Sequence, residues 1–351
     1  MRKQSRSNHL NLRSRRAVFS PSSFAGLLVF GSSILTSCGP KSPTDATDDS
    51  NLNIVGGYVV SAGDITAART ATVALTNQDL FAKGKSFCTS TLIRPDVLLT
   101  AAHCVTDQDG KVSGDGDQPM LAVFELEVGK DVSLARRVRA IAVHKFYDSH
   151  IVGAKDPSVY ASNDVALLAL EGTAPSPYKP VDVVAETSLF KQRQEVLLAG
   201  YGVTATRTVN TTGKLRAVKA TIHDDHNSGN VLLLRGPQLN ARAIDYDESG
   251  KTKIVQANGG ACAGDSGGPA FAKASDGSYK LVGATSYGSE LRLAGRWDFT
   301  RYCVGENGYV DLRKYARGIA SAAKVLTSTT SVTEKLQVFR FTNHETVAAV
   351  N

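Results

Sequence analysis

No uninterrupted apolar run in this 351-residue chain reaches the length of a bilayer-spanning helix, the stretch Phe24 to Leu35 being too short. Internal repeats and low-complexity tracts are also missing, which sets aside a repeat array. A surplus of one charge sign is missing too, once its location is considered. The formal net charge is +7, but Arg2, Lys3, Arg6, Arg13, Arg15 and Arg16 stand in residues 1–37 with no acid among them, leaving 34 basic against 33 acidic residues in the rest. A nucleic-acid or polybasic membrane footprint needs basic residues kept in the folded body, so neither partner is expected. Converging metal ligands are lacking as well. Asp107, Asp109, Asp115 and Asp117 occupy a glycine-rich loop without the ordered spacing or closing glutamate of a calcium loop. His223-Asp224-Asp225-His226 has no second cluster to complete a site. No metal or other cofactor is expected.

What is present begins with that basic start. Followed by Phe24 to Leu35, it fits a signal peptide over 1–37 that is removed on export. The run ends in Leu35-Thr36-Ser37-Cys38, which resembles a bacterial lipobox and implies lipidation of Cys38, anchoring an exported protein that faces the periplasm or cell exterior. Residues 38–53, rich in Ser, Thr, Asp and Pro, have little to bury and read as a tether or propeptide.

From Ile54 onward, short apolar stretches alternate with Gly, Asp and Pro signals: Val97 to Thr100, Val138 to Val143, Val165 to Leu170, Val196 to Leu198, Val231 to Leu234. With few long helical periods, this spacing predicts an all-β sandwich or barrel. The proline-rich segment Thr173 to Pro180 breaks both helix and strand ladders and reads as a linker. Asp311 to Leu326 has helical spacing. Thr327 to Asn351, where Val338, Phe339 and Phe341 stand among polar residues, is either a further strand or disordered.

Three short motifs carry chemistry. Gly264-Asp265-Ser266-Gly267-Gly268-Pro269 can project a serine hydroxyl from a tight turn. Such a nucleophile needs a base and a group to orient it, and His103 in Thr100-Ala101-Ala102-His103-Cys104 and Asp164 in Asn163-Asp164-Val165-Ala166-Leu167-Leu168 are candidates. The order His, Asp, Ser, with Ile54-Val55-Gly56-Gly57 ahead of it, resembles the chymotrypsin/trypsin-like serine protease family from Ile54 to about Leu326.

That resemblance implies two six-stranded antiparallel β-barrels with the active site in the cleft between them and a C-terminal helix: a peptidase domain over 54–326, barrel one about 54–180, barrel two about 181–310, the helix about 311–326, and an extension over 327–351. It implies an exported serine endopeptidase whose catalytic residues are His103, Asp164 and Ser266, with an oxyanion hole formed by the backbone N–H groups of Gly264 and Ser266. Cleavage before Ile54 by an activating protease would free an amine to pair with Asp265, although Asn53 stands where a basic residue is usual. Disulfides Cys88–Cys104 and Cys262–Cys303 are implied, leaving Cys38 odd. The substrate pocket falls at Gly260, Ala261, Ser286, Tyr287, Gly288 and Gly308. Without an acid at its base, it is expected to be open, to admit apolar or aromatic side chains and to lack a Lys or Arg preference. Glu290, Asp298, Arg292, Arg296 and Arg301 lie in an adjoining insertion within reach of it. Two other classes compete. A protease-like lipoprotein that binds a protein partner without cutting would not need the full triad. An α/β-hydrolase esterase shares the short pattern around Ser266 but orders its triad Ser, Asp, His.

Overall fold

The structure, a computed structural model of the full chain, describes residues 54, 57–112, 118–151, 161–204, 212–224, 230–246, 249–289, 291–294, 303–328 and 336–347. The signal sequence, Cys38, the tether, Val55, Gly56, Asp115, Asp117, Asp225, His226, Glu290, Arg296, Asp298 and Arg301 lie outside them.

The first strands are β1 (Tyr58–Val59), β2 (Thr72–Asn77), β3 (Cys88–Arg94), β4 (Val97–Thr100), β5 (Met120–Val123), β6 (Ala135–His144) and β7 (Ala166–Leu170). There follow β8 (Glu195–Gly200), β9 (Arg216–Asp224), β10 (Val231–Arg235), β11 (Gln238–Tyr246), β12 (Thr252–Asn258), β13 (Pro269–Lys273), β14 (Tyr279–Gly288), β15 (Arg292–Leu293) and β16 (Glu306–Asp311). Two short helices, α1 (Ala67–Ala71) and α2 (Gln78–Ala82), flank β2, and α3 (Ala316–Ser328) leads to β17 (Gln337–Phe341) and β18 (Thr346–Val347).

Strands β6-β5-β2-β3-β4-β7 close on themselves through β6–β7, and β9-β10-β16-β14-β13-β8 through β9–β8, giving two closed six-stranded antiparallel barrels. Strand alternation explains their apolar composition. In β4, Leu98 faces the inside of barrel one with Leu75, Phe124, Ile141 and Leu168, whereas Val97 and Leu99 join a second core with Leu197, Ala199 and Phe271 of barrel two and Ile319 and Leu326 of α3. Both faces of such a strand are buried, so it reads as a continuous apolar run.

Two segments differ from the sequence reading, and a choice it left open is decided in a third. Residues 54–60 were assigned to barrel one, but β1 pairs with β9, and Ile54 is buried with Val218, Ala220 and Leu232 inside barrel two. Tyr58 lies opposite Ala217 and Val59 opposite Arg216 in that ladder. The helix begins later than Asp311, because the Asp311 carboxylate accepts from Arg313 N and caps a 3-10 turn over Leu312–Lys314. The extension forms a strand: β17 runs parallel to β6, with Phe339 and Phe341 buried.

Candidate active site

Ladder pairing brings the first two motifs together. Thr100 at the end of β4 is opposite Ala166 at the start of β7, so the turn Ala102–Cys104 after β4 and Asp164 just before β7 are neighbours across 61 residues of chain. His103 Nδ1 is 2.8 Å from Asp164 Oδ2, and His103 N donates to Asp164 Oδ1 at 2.9 Å. Asp164 is buried and takes a third bond, from Ser286 Oγ of β14 to Oδ2 at 2.6 Å. Burial alone lowers the pKa of His103, but the charge and hydrogen bond of Asp164 outweigh it and leave the imidazole above its ordinary value.

Ser266 comes from the turn between Cys262 and β13, and its carbonyl is pinned to barrel one by Thr89 N at 2.8 Å. Cys104 Sγ lies 3.5 Å from the same oxygen, which sets the serine turn against the residue next to His103. Ser266 Oγ makes no hydrogen bond among the described residues. Within the turn, Asp265 N, Gly267 N and Gly268 N donate to Cys262 O, Thr285 O and Asp265 O. The N–H groups of Gly264 and Ser266 donate to no acceptor among the described residues. Gly264 sits at φ +94°, which disfavours any side chain there.

Asp265 points the other way, into the protein. Its carboxylate fills the space where Gly200 lacks a side chain: a Cβ there would stand 2.1 Å from Oδ1. Gly202 N donates to Oδ1 at 2.7 Å and Cys262 N to Oδ2 at 2.9 Å. Burial raises its pKa to about 6 against these two bonds and the nearby Arg216 charge. Arg216 itself is opposite Gly200 in the β8–β9 ladder and donates to Gly202 O at 3.5 Å.

A pocket of about 110 Å³ opens beside Ser266, lined by Ala261, Cys262, Ala263, Thr285, Tyr287, Gly288 and Cys303. It contains three of the six residues assigned to it from sequence, counting Ser286 apart because its hydroxyl serves Asp164. Gly260 and Gly308 do not line it: the Asn307 amide lies over Gly260 and the Tyr287 ring over Gly308, so the pocket is smaller than the open one expected. Arg292 pairs with Ile244 of β11. Both implied disulfides are formed; Cys88–Cys104 adjoins His103, and its sulfurs are therefore unavailable to a metal. Sequence reasoning missed the Ser286 bond to Asp164 and the setting of Asp265 among Gly200, Gly202 and Arg216. The pattern Gly200-Tyr201-Gly202 was the available signal for the latter.

Two closed antiparallel barrels, with a histidine–carboxylate pair on the first and a serine turn of the second set against it, define the class of double-barrel serine-protease folds. The chain belongs to the trypsin family: the family model described as Trypsin matches residues 54–302. It is similar to Trypsin II-P29 of Gallus gallus, at 25% identity over 77% of this chain and 90% of that protein. It is also similar to Phenoloxidase-activating enzyme 1 of Spodoptera litura, at 25% identity over 57% of this chain and 52% of that one.

Proposed function

We propose that this chain is a serine endopeptidase that hydrolyses peptide bonds through an acyl-enzyme. The observation that carries the reading is the grip of buried Asp164 on both His103 N and His103 Nδ1. It keeps the ring proton on Nδ1 and leaves the Nε2 lone pair free to act as base. Ser266 Oγ attacks the substrate carbonyl carbon as its proton passes to His103 Nε2, and the carbonyl oxygen, now anionic, takes the N–H groups of Gly264 and Ser266. His103 then gives the proton to the leaving amine. Water, activated by the same imidazole, attacks the ester carbonyl and restores Ser266. Two such amides matter because each oxyanion donor is worth about 10² to 10³ in rate.

Among the described residues the pocket lining is small and carries no charged side chain, which supports selection of a small neutral side chain at the scissile residue. Two disulfides support an exported protein in an oxidising compartment. Anchorage through lipidated Cys38 and processing before Ile54 by another protease complete the reading: the freed amine would take over the neutralisation of Asp265, and the same cut would release the domain from its anchor. A peptide-library digest, with Ser266→Ala as control, tests the reaction and the pocket together. Cleavage after small residues such as Ala, Ser or Val, abolished in the control, is expected. A profile dominated by Arg or Lys would overturn the pocket assignment, and no cleavage by folded protein starting at Ile54 would favour the non-catalytic binder.

A further inference from the structure

The segment 336–347 lies beyond the residues 54–302 that the family model matches, and the proposed reaction gives it no task. It is nonetheless tightly held. Phe341 is opposite His144 in the parallel β17–β6 ladder, and Lys145 N donates to Phe341 O at 2.7 Å. Beyond it, Asn343 O accepts from Gly318 N of α3 at 2.9 Å, and Asn343 Oδ1 lies 2.7 Å from His144 Nε2. This approach requires a glycine at 318, since a Cβ there would stand 1.8 Å from Thr342 O.

His144 connects the segment to the site. It is fully buried, and its ring meets Phe341 and Tyr315 edge-on, with centroids 5.2 and 5.3 Å apart. Burial holds its pKa below the ordinary value, so the ring is neutral. Phe146 N donates to Nδ1 at 3.4 Å, leaving the ring proton on Nε2 for Asn343. Tyr315 OH accepts from Asn163 N at 3.0 Å and lies 3.3 Å from Asn163 Oδ1, while Asn163 Nδ2 donates to Phe146 O at 3.1 Å. Asn163 is at φ +61°, a conformation that persists in a non-glycine residue when its surroundings over-determine it. The next residue is Asp164, and Val165 O accepts from His144 N at 3.1 Å.

We propose that residues 336–347 are a positioning clamp for the triad: Phe341 and Asn343 fix His144 and Tyr315, which hold Asn163 in its left-handed turn and so aim the Asp164 carboxylate at His103. The proposal rests on the triad reading above. Catalytic geometry tolerates about 0.5 Å of error, and a misplacement of about 1 Å costs on the order of 10² in rate.

Three variants of the protein running from Ile54 to Asn351 test it: Asn343→Ala removes the His144 acceptor, Gly318→Ala pushes the segment off α3, and Tyr315→Phe cuts the link to Asn163. Two readouts are taken from folded protein. One is kcat and KM on a peptide substrate; the other is the far-downfield proton resonance of the His103–Asp164 hydrogen bond, assigned by its loss in Asp164→Asn. The clamp predicts a kcat lower by about 10- to 100-fold with KM changed less than about twofold, together with a shifted or broadened resonance. Variants that keep the parental kcat, or lose it while the resonance stays in place, would overturn it. A parent that shows the resonance without turnover sinks the protease reading, while movement of the resonance still decides the clamp.

Discussion

At the residue scale, the two buried carboxylates of the site are treated in opposite ways. Asp164 receives two donors from His103 and one from Ser286, and its charge is put to use on the imidazole beside it. Asp265 receives two backbone donors and a neighbouring guanidinium, yet burial still lifts its pKa from 3.8 to about 6. A raised folded-state pKa means that the folded chain binds this proton more tightly than the unfolded chain does. The stability it contributes is therefore complete below the unfolded value and is lost as pH rises through about 6. The uncut chain is expected to lose about 3 kcal/mol from this group across that window. Denaturant unfolding between pH 4 and pH 7 checks this: Asp265→Asn should flatten the slope, and protein starting at Ile54 should flatten it too if its amine neutralises the carboxylate. An equal slope in wild type and Asp265→Asn would remove Asp265 as its source.

At the scale of elements, β4 and the turn after it show how far local sequence reaches. The serine turn, the histidine turn and the aspartate before β7 were each legible, because each depends on residue types within a few positions. Their convergence was not: it depends on Thr100 pairing with Ala166, and Ser286 reaches Asp164 across 122 residues. The same holds for the extension, whose alternating apolar residues allowed a strand without naming β6 as its partner. The pocket was misjudged in size for a related reason, since side chains from Asn307 and Tyr287 cover glycines that sequence alone shows as open space. The Cys88–Cys104 bridge closes a separation of 16 residues between β3 and the His103 turn. Replacing both cysteines by serine should lower stability by about 3 kcal/mol in the chain-entropy model. Chemical denaturation measures this directly, and a change under about 1 kcal/mol would show that the ladders alone hold the turn.

At the scale of the molecule, each barrel brings one half of the proposed site and a shared apolar core holds the halves in register. Val97 and Leu99 of barrel one pack in one cluster with Leu197 and Ala199 of barrel two, on strands that lead into His103 and toward the Asp265 cradle. Thr89, whose N–H bonds Ser266 O and whose hydroxyl bonds Gly264 O at 2.9 Å, ties the serine turn of one barrel to a strand of the other. Such a design sets the serine turn against the histidine turn at one seam, and the central claim of the proposed function is that Ser266 is the nucleophile. The most direct measurement is intact-mass analysis after treatment with a serine-directed phosphonate, on oxidised protein starting at Gly39, the same protein starting at Ile54, and Ser266→Ala. One adduct per chain on the Ile54 form, absent from Ser266→Ala, is the predicted result. An unlabelled Ile54 form that is demonstrably folded, or an adduct that survives Ser266→Ala, would contradict it.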